Sequence, residues 1–352
     1  MADQETQILD NEIVKTRRKM LTLGGIALAG FALRGVQKAN AAVAYTDADI
    51  LNFALNLEYL EANFYYLSAF GCTIDQPNAV AIAAGAPSGS IPITGSVGTA
   101  GTVNSTGAPT TGVPFSTVQV GSYATETAIE EGKHVLFLQS ALGSSAVAQP
   151  AINLDVATWT ALAQAAGVIP SGATFTPYDD DADFLIGAYV FEDVGVTAYH
   201  GAASLLTSSA NLSAAAGILS VEAYHAGLIR TTINAIDTTG TLTGYTDQIS
   251  ALRAQLALAG ALGATSPYDA NPDDYGVAAF TTPSGLGAAG ATVTASRITD
   301  ADPTNVIAFA RNTTQVLNIV TGGGAVSGGA VVSPAVGIFF PAGLNAGPNG
   351  FK

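Results

Sequence analysis

From Asp47 to Ala69, apolar residues return every three or four positions (Leu51, Leu55, Leu57, Leu60, Phe64, Leu67). That period gathers them on one side of a helix, with Thr46 or Asp47 as N-cap and Gly71 as stop. The same pattern predicts a second helix over 122–142 ending at Gly143, and a short one over 155–166. A third long helix, 182–206, follows the capping turn Pro177-Tyr178-Asp179-Asp180-Asp181. A tight turn at 208–211 leads into a fourth, 212–236, and an amphipathic fifth covers 246–262. Residues 73–117 break the pattern: they are rich in Gly, Ser, Thr, Pro and Val and almost uncharged. They read as a long connection with room for short hairpins, one that needs structure of its own or a function.

After Gly263 the composition turns again to Gly, Pro, Thr and Ala. One more helix is predicted over 303–320, capped by Asp302, with Ile307, Phe309, Val316, Leu317 and Val320 as its docking face. Residues 337–345 read as a packed, turn-rich tail. The expected fold class is mainly α. Residues 44–262 form a four-helix bundle with a fifth helix and the insertion 73–117 between helices 1 and 2. Residues 263–352 form a C-terminal extension with extra helices and irregular or short β segments, packed on the bundle.

Composition narrows the partners. Of 352 residues, 48% are hydrophobic and 11% charged, so a sizeable core is available and disorder of the whole chain is excluded. Lys and Arg number 12 against 27 Asp and Glu, a net charge of -15, and no basic patch follows the first 40 residues. Nucleic acid is therefore not an expected partner. The single cysteine, Cys72, excludes an internal disulfide framework and a Cys-based metal cluster.

The first 43 residues read as a twin-arginine signal or an N-terminal arm. Thr16-Arg17-Arg18-Lys19-Met20-Leu21 precedes an apolar run to Leu33, and small residues follow around Ala39-Asn40-Ala41. The run is short for a membrane span. Export by the twin-arginine route is expected, to the periplasm, cell surface or exterior, with membrane contact only through this segment if it stays uncleaved.

The chemistry lies in scarce residues. The chain has three His (His134, His200, His225), and only seven Glu follow the leader: Glu58, Glu61, Glu126, Glu130, Glu131, Glu192 and Glu222. Two of the three His have Glu three residues before them, in Glu131-x-x-His134 and Glu222-x-x-His225. On a helix that spacing brings the two side chains to one face, about 5–6 Å apart, where they can share one metal ion. The other two long helices supply Glu58 and Glu192 among Leu, Phe, Val and Tyr. An unpaired charge there is costly, and two divalent cations would balance four carboxylates. Glu from two helices and Glu-x-x-His from the other two is the general pattern of di-iron and di-manganese bundles. The expected metal ligands are Glu58, Glu131, His134, Glu192, Glu222 and His225, with Glu61 a spare ligand or an outer group. A buried salt bridge of Glu192 with Arg230 or Lys133 is the competing assignment. Glu126 and Glu130 are read as solvated, and His200, without an acidic residue three or four positions away, as structural.

The order Glu, Glu-x-x-His, Glu, Glu-x-x-His suggests two related helical hairpins about a pseudo-two-fold axis. Each single Glu has a Tyr two turns on, Tyr65 after Glu58 and Tyr199 after Glu192, as outer partners of the ligands or core aromatics. Here the chain resembles the ferritin-like superfamily. Asn56-Leu57-Glu58 with Asn63 and Tyr65 is similar to the first helix of bacterioferritins and rubrerythrins. Leu57–Ala62, Phe191–Tyr199, Ala308–Arg311 with Gln315–Asn318, and Phe339–Leu344 are similar to the desiccation-related, ferritin-like family. Departures are the long insertion, the low charge and the lack of Cys pairs for a rubredoxin-type iron centre.

The resemblance implies a ferritin-like bundle with two iron or manganese ions and a ferroxidase-like or peroxidase-like di-iron oxidoreductase. The alternative is a structural or stress-protective extracellular protein, self-assembling as a homo-oligomer or polymer, with a vacant or structural metal site.

Overall fold

Thr46 starts the first long helix. Its hydroxyl accepts from the Asp49 N–H at 3.2 Å, and the Asp49 carboxylate accepts from the Thr46 N–H at 2.8 Å. Helix α1 then runs Asp47–Phe70, and Gly71, at φ 67°, ends it in the left-handed region that glycine tolerates. The computed structural model describes residues 45–76, 81, 83, 85, 90–258, 274–277, 279–283, 292–302, 304–322, 326–327, 330–331 and 337–346. The twin-arginine segment and residues 259–262 of the expected fifth helix lie outside them.

The remaining bundle helices are α2 (Val118–Leu142), α4 (Asp181–Ala203) and α5 (Ser209–Ile236), with the short α3 (Val156–Ala166) between α2 and α4. The expected helices are therefore present, with shifted ends. α2 begins one turn early, and α5 begins at the Ser208 cap, whose side chain accepts from the Asn211 N–H. α1 packs along α2 and α4 along α5, giving two hairpins that face each other across the α1–α4 and α2–α5 contacts. α6 (Thr241–Leu258) lies against α3, α4 and α5. By length and apolarity α5 could cross a membrane, but its Glu222, His225 and Arg230 are buried in the bundle.

The insertion differs from the hairpins expected of it. Strand β1 (Val103–Asn104) pairs in parallel with β2 (Ile152–Asn153), beyond α2, and Val97 bridges Val147 the same way. Gly95 and Gly101 make this possible, since a Cβ at either would collide with the backbone of 146–151. The insertion thus runs as a ribbon beside the α2–α3 connection and returns to α4, where Asp181 accepts from the Ser116 and Thr117 N–H groups at 2.9 Å.

Beyond α6, β3 (Ala279–Pro283) and β4 (Thr292–Ser296) form an antiparallel hairpin, and β5 (Val326–Ser327) pairs with β6 (Ala330–Val331). The last helix is shorter than the sequence suggests: α7 spans Thr313–Val320, with Asn312 and Gln315 as its capping box. Pro303 lies outside the described residues. Asp302 instead closes a local turn onto the Thr304 and Asn305 N–H groups, and Val306 sits at φ 55°. The chain then lies extended along α4, with the Arg311 N–H donating to Thr197 O at 3.0 Å where Gly201 admits its backbone. His200 is structural in this contact, its Nδ1 3.1 Å from Phe309 O.

Buried ion pairs hold the extension to the bundle. Asp193 Oδ2 meets Arg230 at 2.9 Å and Arg253 at 3.0 Å; Asp274 Oδ2 meets Arg253 at 2.9 Å and Arg311 at 2.7 Å. All five side chains are almost fully buried. Removing one partner would leave an uncompensated buried charge. Asp274→Ala, which strips Arg253 and Arg311 of a shared acceptor, is expected to lower unfolding stability by about 3–5 kcal/mol in urea titrations.

Candidate metal centre

The Glu-x-x-His spacing turns Glu131 and His134 of α2, and Glu222 and His225 of α5, toward the middle of the bundle. Glu58 of α1 and Glu192 of α4 meet them there, and all four carboxylates are at most 1% exposed. His134 Nδ1 lies 3.2 Å from Glu58, 3.4 Å from Glu131 and 3.6 Å from Glu222. His225 Nδ1 lies 3.1 Å from Glu131 and 3.4 Å from Glu192. The six side chains therefore form two donor groups: Glu58, Glu131, His134 and Glu222 in one, and Glu131, Glu192 and His225 in the other. Glu131 belongs to both.

Hydrogen bonding separates the ligand roles. Tyr65 of α1 donates to Glu192 Oε1 on α4, and Tyr199 of α4 donates to Glu58 Oε1 on α1. Each Tyr serves the carboxylate of the opposite helix, as a pseudo-two-fold axis requires. Burial and the neighbouring carboxylates push both phenols well above their ordinary range, so they remain donors. Glu58 and Glu192 each keep one oxygen free, whereas both oxygens of Glu131 and of Glu222 are free. With the two Nδ1 atoms, eight buried donor atoms of six residues have no hydrogen-bond partner among the described residues. Such groups are rare and costly unless something else satisfies them. Carboxylate oxygens and imidazole nitrogens gathered in this way form a donor set suited to divalent cations.

The electrostatics agree. Burial lifts the Glu58 carboxyl to about 7 although His134 pulls it down. Burial, then the charges of Glu131, Glu61 and Glu58, push Glu222 well above its ordinary value. Burial would raise Glu131 too, but His134 and His225 outweigh it and hold that carboxyl below the usual range. Burial opposes charge on His134, yet Glu58 and Glu131 push it up to about 12. The centre is thus short of positive charge, and among the described residues the two imidazoles are the cationic groups that face it.

Among the described residues Glu192 forms no salt bridge with Arg230 or Lys133, and Arg230 pairs with Asp193 instead. Glu61 is buried beside the cluster but in neither donor group. The expectation that Glu130 is merely solvated is corrected: its Oε2 lies 2.7 Å from His225 Nε2, orienting the ring whose Nδ1 faces the donor group. Nothing in the spacing pointed to it, since Glu130 stands on α2 and reaches across to α5. The equivalent position before Glu222 is Val221, so His134 has no matching carboxylate.

A family model described as ferritin-like domain matches residues 46–235. The desiccation-related protein PCC13-62 of Craterostigma plantagineum is 29% identical over 219 residues, 60% of this chain and 62% of that protein. The ferritin-like catalase Nec2 of Nesocodon mauritianus is 26% identical over 224 residues, 61% of this chain and 64% of that protein. The chain thus spans a little over three-fifths of the length of the curated relatives it matches. No solved structure matches it significantly.

Outer carboxylates of metal-ligating histidines typically matter by about 10–100-fold in metal affinity. Glu130→Ala is expected to weaken metal binding by about that factor in a competitive chelator titration.

Proposed function

The chain belongs to the ferritin-like domain family, and from that premise we propose that it is a di-metal carboxylate protein holding two iron or manganese ions. Eight unpartnered buried donor atoms, converging from four helices, carry this reading. Glu58, Glu131, His134, Glu192, Glu222 and His225 would hold the ions, with Glu131 shared. Four carboxylates and two neutral imidazoles then balance two divalent charges. When bound, such a pair supplies a two-electron redox couple for dioxygen or peroxide, consistent with similarity to a protein named as a ferritin-like catalase.

The residues themselves do the remaining work. Tyr65 and Tyr199 hold Glu192 and Glu58 in single-oxygen orientation. Glu130 fixes the His225 ring. The apolar bundle around them excludes water, which makes the unpaired carboxylates costly and strengthens their attraction for a cation.

Similarity to a protein named as desiccation-related favours a second, compatible reading. In it the scaffold is an extracellular, self-assembling stress-protective protein and the metal pair is structural. Ordered polymers in electron micrographs, without metal-dependent turnover, would support this reading over the catalytic one.

Elemental analysis of protein purified without chelator is expected to find about two metal ions per chain. The Glu131→Ala/His134→Ala variant should retain fewer than half of them. Equal metal content in the two proteins would refute the di-metal reading. Export through the twin-arginine route is part of the proposal, supported by Arg17-Arg18 ahead of an apolar run. Replacing both by Lys is expected to leave the precursor inside the cell, measured by fractionation, and unchanged export would overturn that assignment.

A further inference from the structure

The two-fold relation that maps Glu58 onto Glu192 and Tyr65 onto Tyr199 also maps Glu61 onto Gly195. α1 therefore presents a carboxylate where α4 presents no side chain. Both residues line a largely enclosed cavity of about 50 Å³ bounded by α1, α3, α4, α6, α7 and Phe339. Its wall is apolar, with Leu57, Leu60, Trp159, Val190, Val194 and Leu256 among the lining residues. The two charged lining residues are Glu61 and Arg253. Arg253 is committed to Asp193 and Asp274. Glu61 is 6% exposed, and among the described residues no hydrogen bond reaches its carboxyl. A buried acceptor without a donor, opening on an apolar space, is an incomplete arrangement. The same end of the cavity abuts the metal ligands: a Cβ on Gly195 would collide with Glu222 Oε2, so nothing but glycine separates the two.

We propose that this cavity binds a small neutral amphiphile, with a short alkyl body against the apolar wall and one O–H group donating to Glu61. Water alone suits the space poorly, because an apolar wall gives it too few partners, whereas apolar groups occupy such cavities readily. One polar group at one end fixes orientation, as in ligand pockets generally. At about 10–15 Å³ of such space for each water-sized group, the volume limits the occupant to a few such groups. A carboxylate or other anion is excluded by the acidic centre behind Glu61. The proposal rests on the di-metal reading and deepens it, because it names the class of molecule brought beside Glu222: a short-chain alcohol or alkyl hydroperoxide.

The chain has one tryptophan, Trp159, and it lines the cavity, so its fluorescence reports the occupant directly. Titration of the full, metal-loaded chain with 1-propanol and with ethyl hydroperoxide should give a saturable change in the millimolar range, and sodium propanoate none. The tighter of the two ligands identifies whether a hydroxyl or a hydroperoxyl head is preferred. Ala163→Leu, which fills the cavity from α3, and Glu61→Leu, which removes the acceptor, should each weaken binding about tenfold. Melting temperatures identify any variant that has lost its fold, and the other then carries the comparison. No saturable change with the unmodified chain, or unchanged affinity in folded variants, overturns the proposal. Metal content measured on the same samples separates the two readings: two ions without a propanol response refute the cavity alone, whereas missing ions refute the metal centre.

Discussion

Four carboxylates brought together in the interior of an apolar bundle are the constraint on which the rest of this structure depends. Glu58, Glu131, Glu192 and Glu222 are almost entirely removed from water, and the cationic groups that face them are two imidazoles. Hydrophobic packing of α1, α2, α4 and α5 drives these groups together, although their mutual repulsion and desolvation oppose it. Two bound cations, as proposed, would resolve the conflict, and metal binding and stability of the bundle would then be aspects of one energy balance.

A single step along α4 shows that the bundle can neutralise buried charge internally when it carries the means. Glu192 turns toward the centre and meets Tyr65 and His225, neither of them a permanent cation. Asp193, its neighbour, turns the other way and meets Arg230 and Arg253. The Asp–Arg side is paired within the protein and ties down the C-terminal extension. The Glu–His side is left open to an external cation. That division, one side closed and one side receptive, separates scaffold from site.

The two halves of the site are related but not equal. Tyr65 and Tyr199 obey the two-fold relation, whereas Glu130 against Val221 and Glu61 against Gly195 break it. One imidazole is held by an outer carboxylate, and one side of the centre borders an apolar cavity. A repeated hairpin supplies the shared set of inward donor side chains, and these departures give the two donor groups different surroundings.

Helix existence and the six side chains that converge at the centre were legible in the chain, because both rest on short-range periodicity. Apolar positions at three- and four-residue spacing dictate helices, and Glu-x-x-His puts two donors on one face whatever the helix packs against. Three features depended on which elements meet and could not be read from spacing. The Tyr hydrogen bonds cross between α1 and α4. Glu130 of α2 serves His225 of α5. The insertion pairs in parallel with residues beyond α2 instead of with itself. Helix ends shifted for the same reason: the 303–320 pattern gives way at Asp302 and Val306 because the chain is laid extended against Gly201 before α7 begins. The chain by itself determined which side chains each helix turns inward. Only the tertiary structure decided which of them touch, because a contact between elements depends on packing angle and register, and no local pattern encodes those.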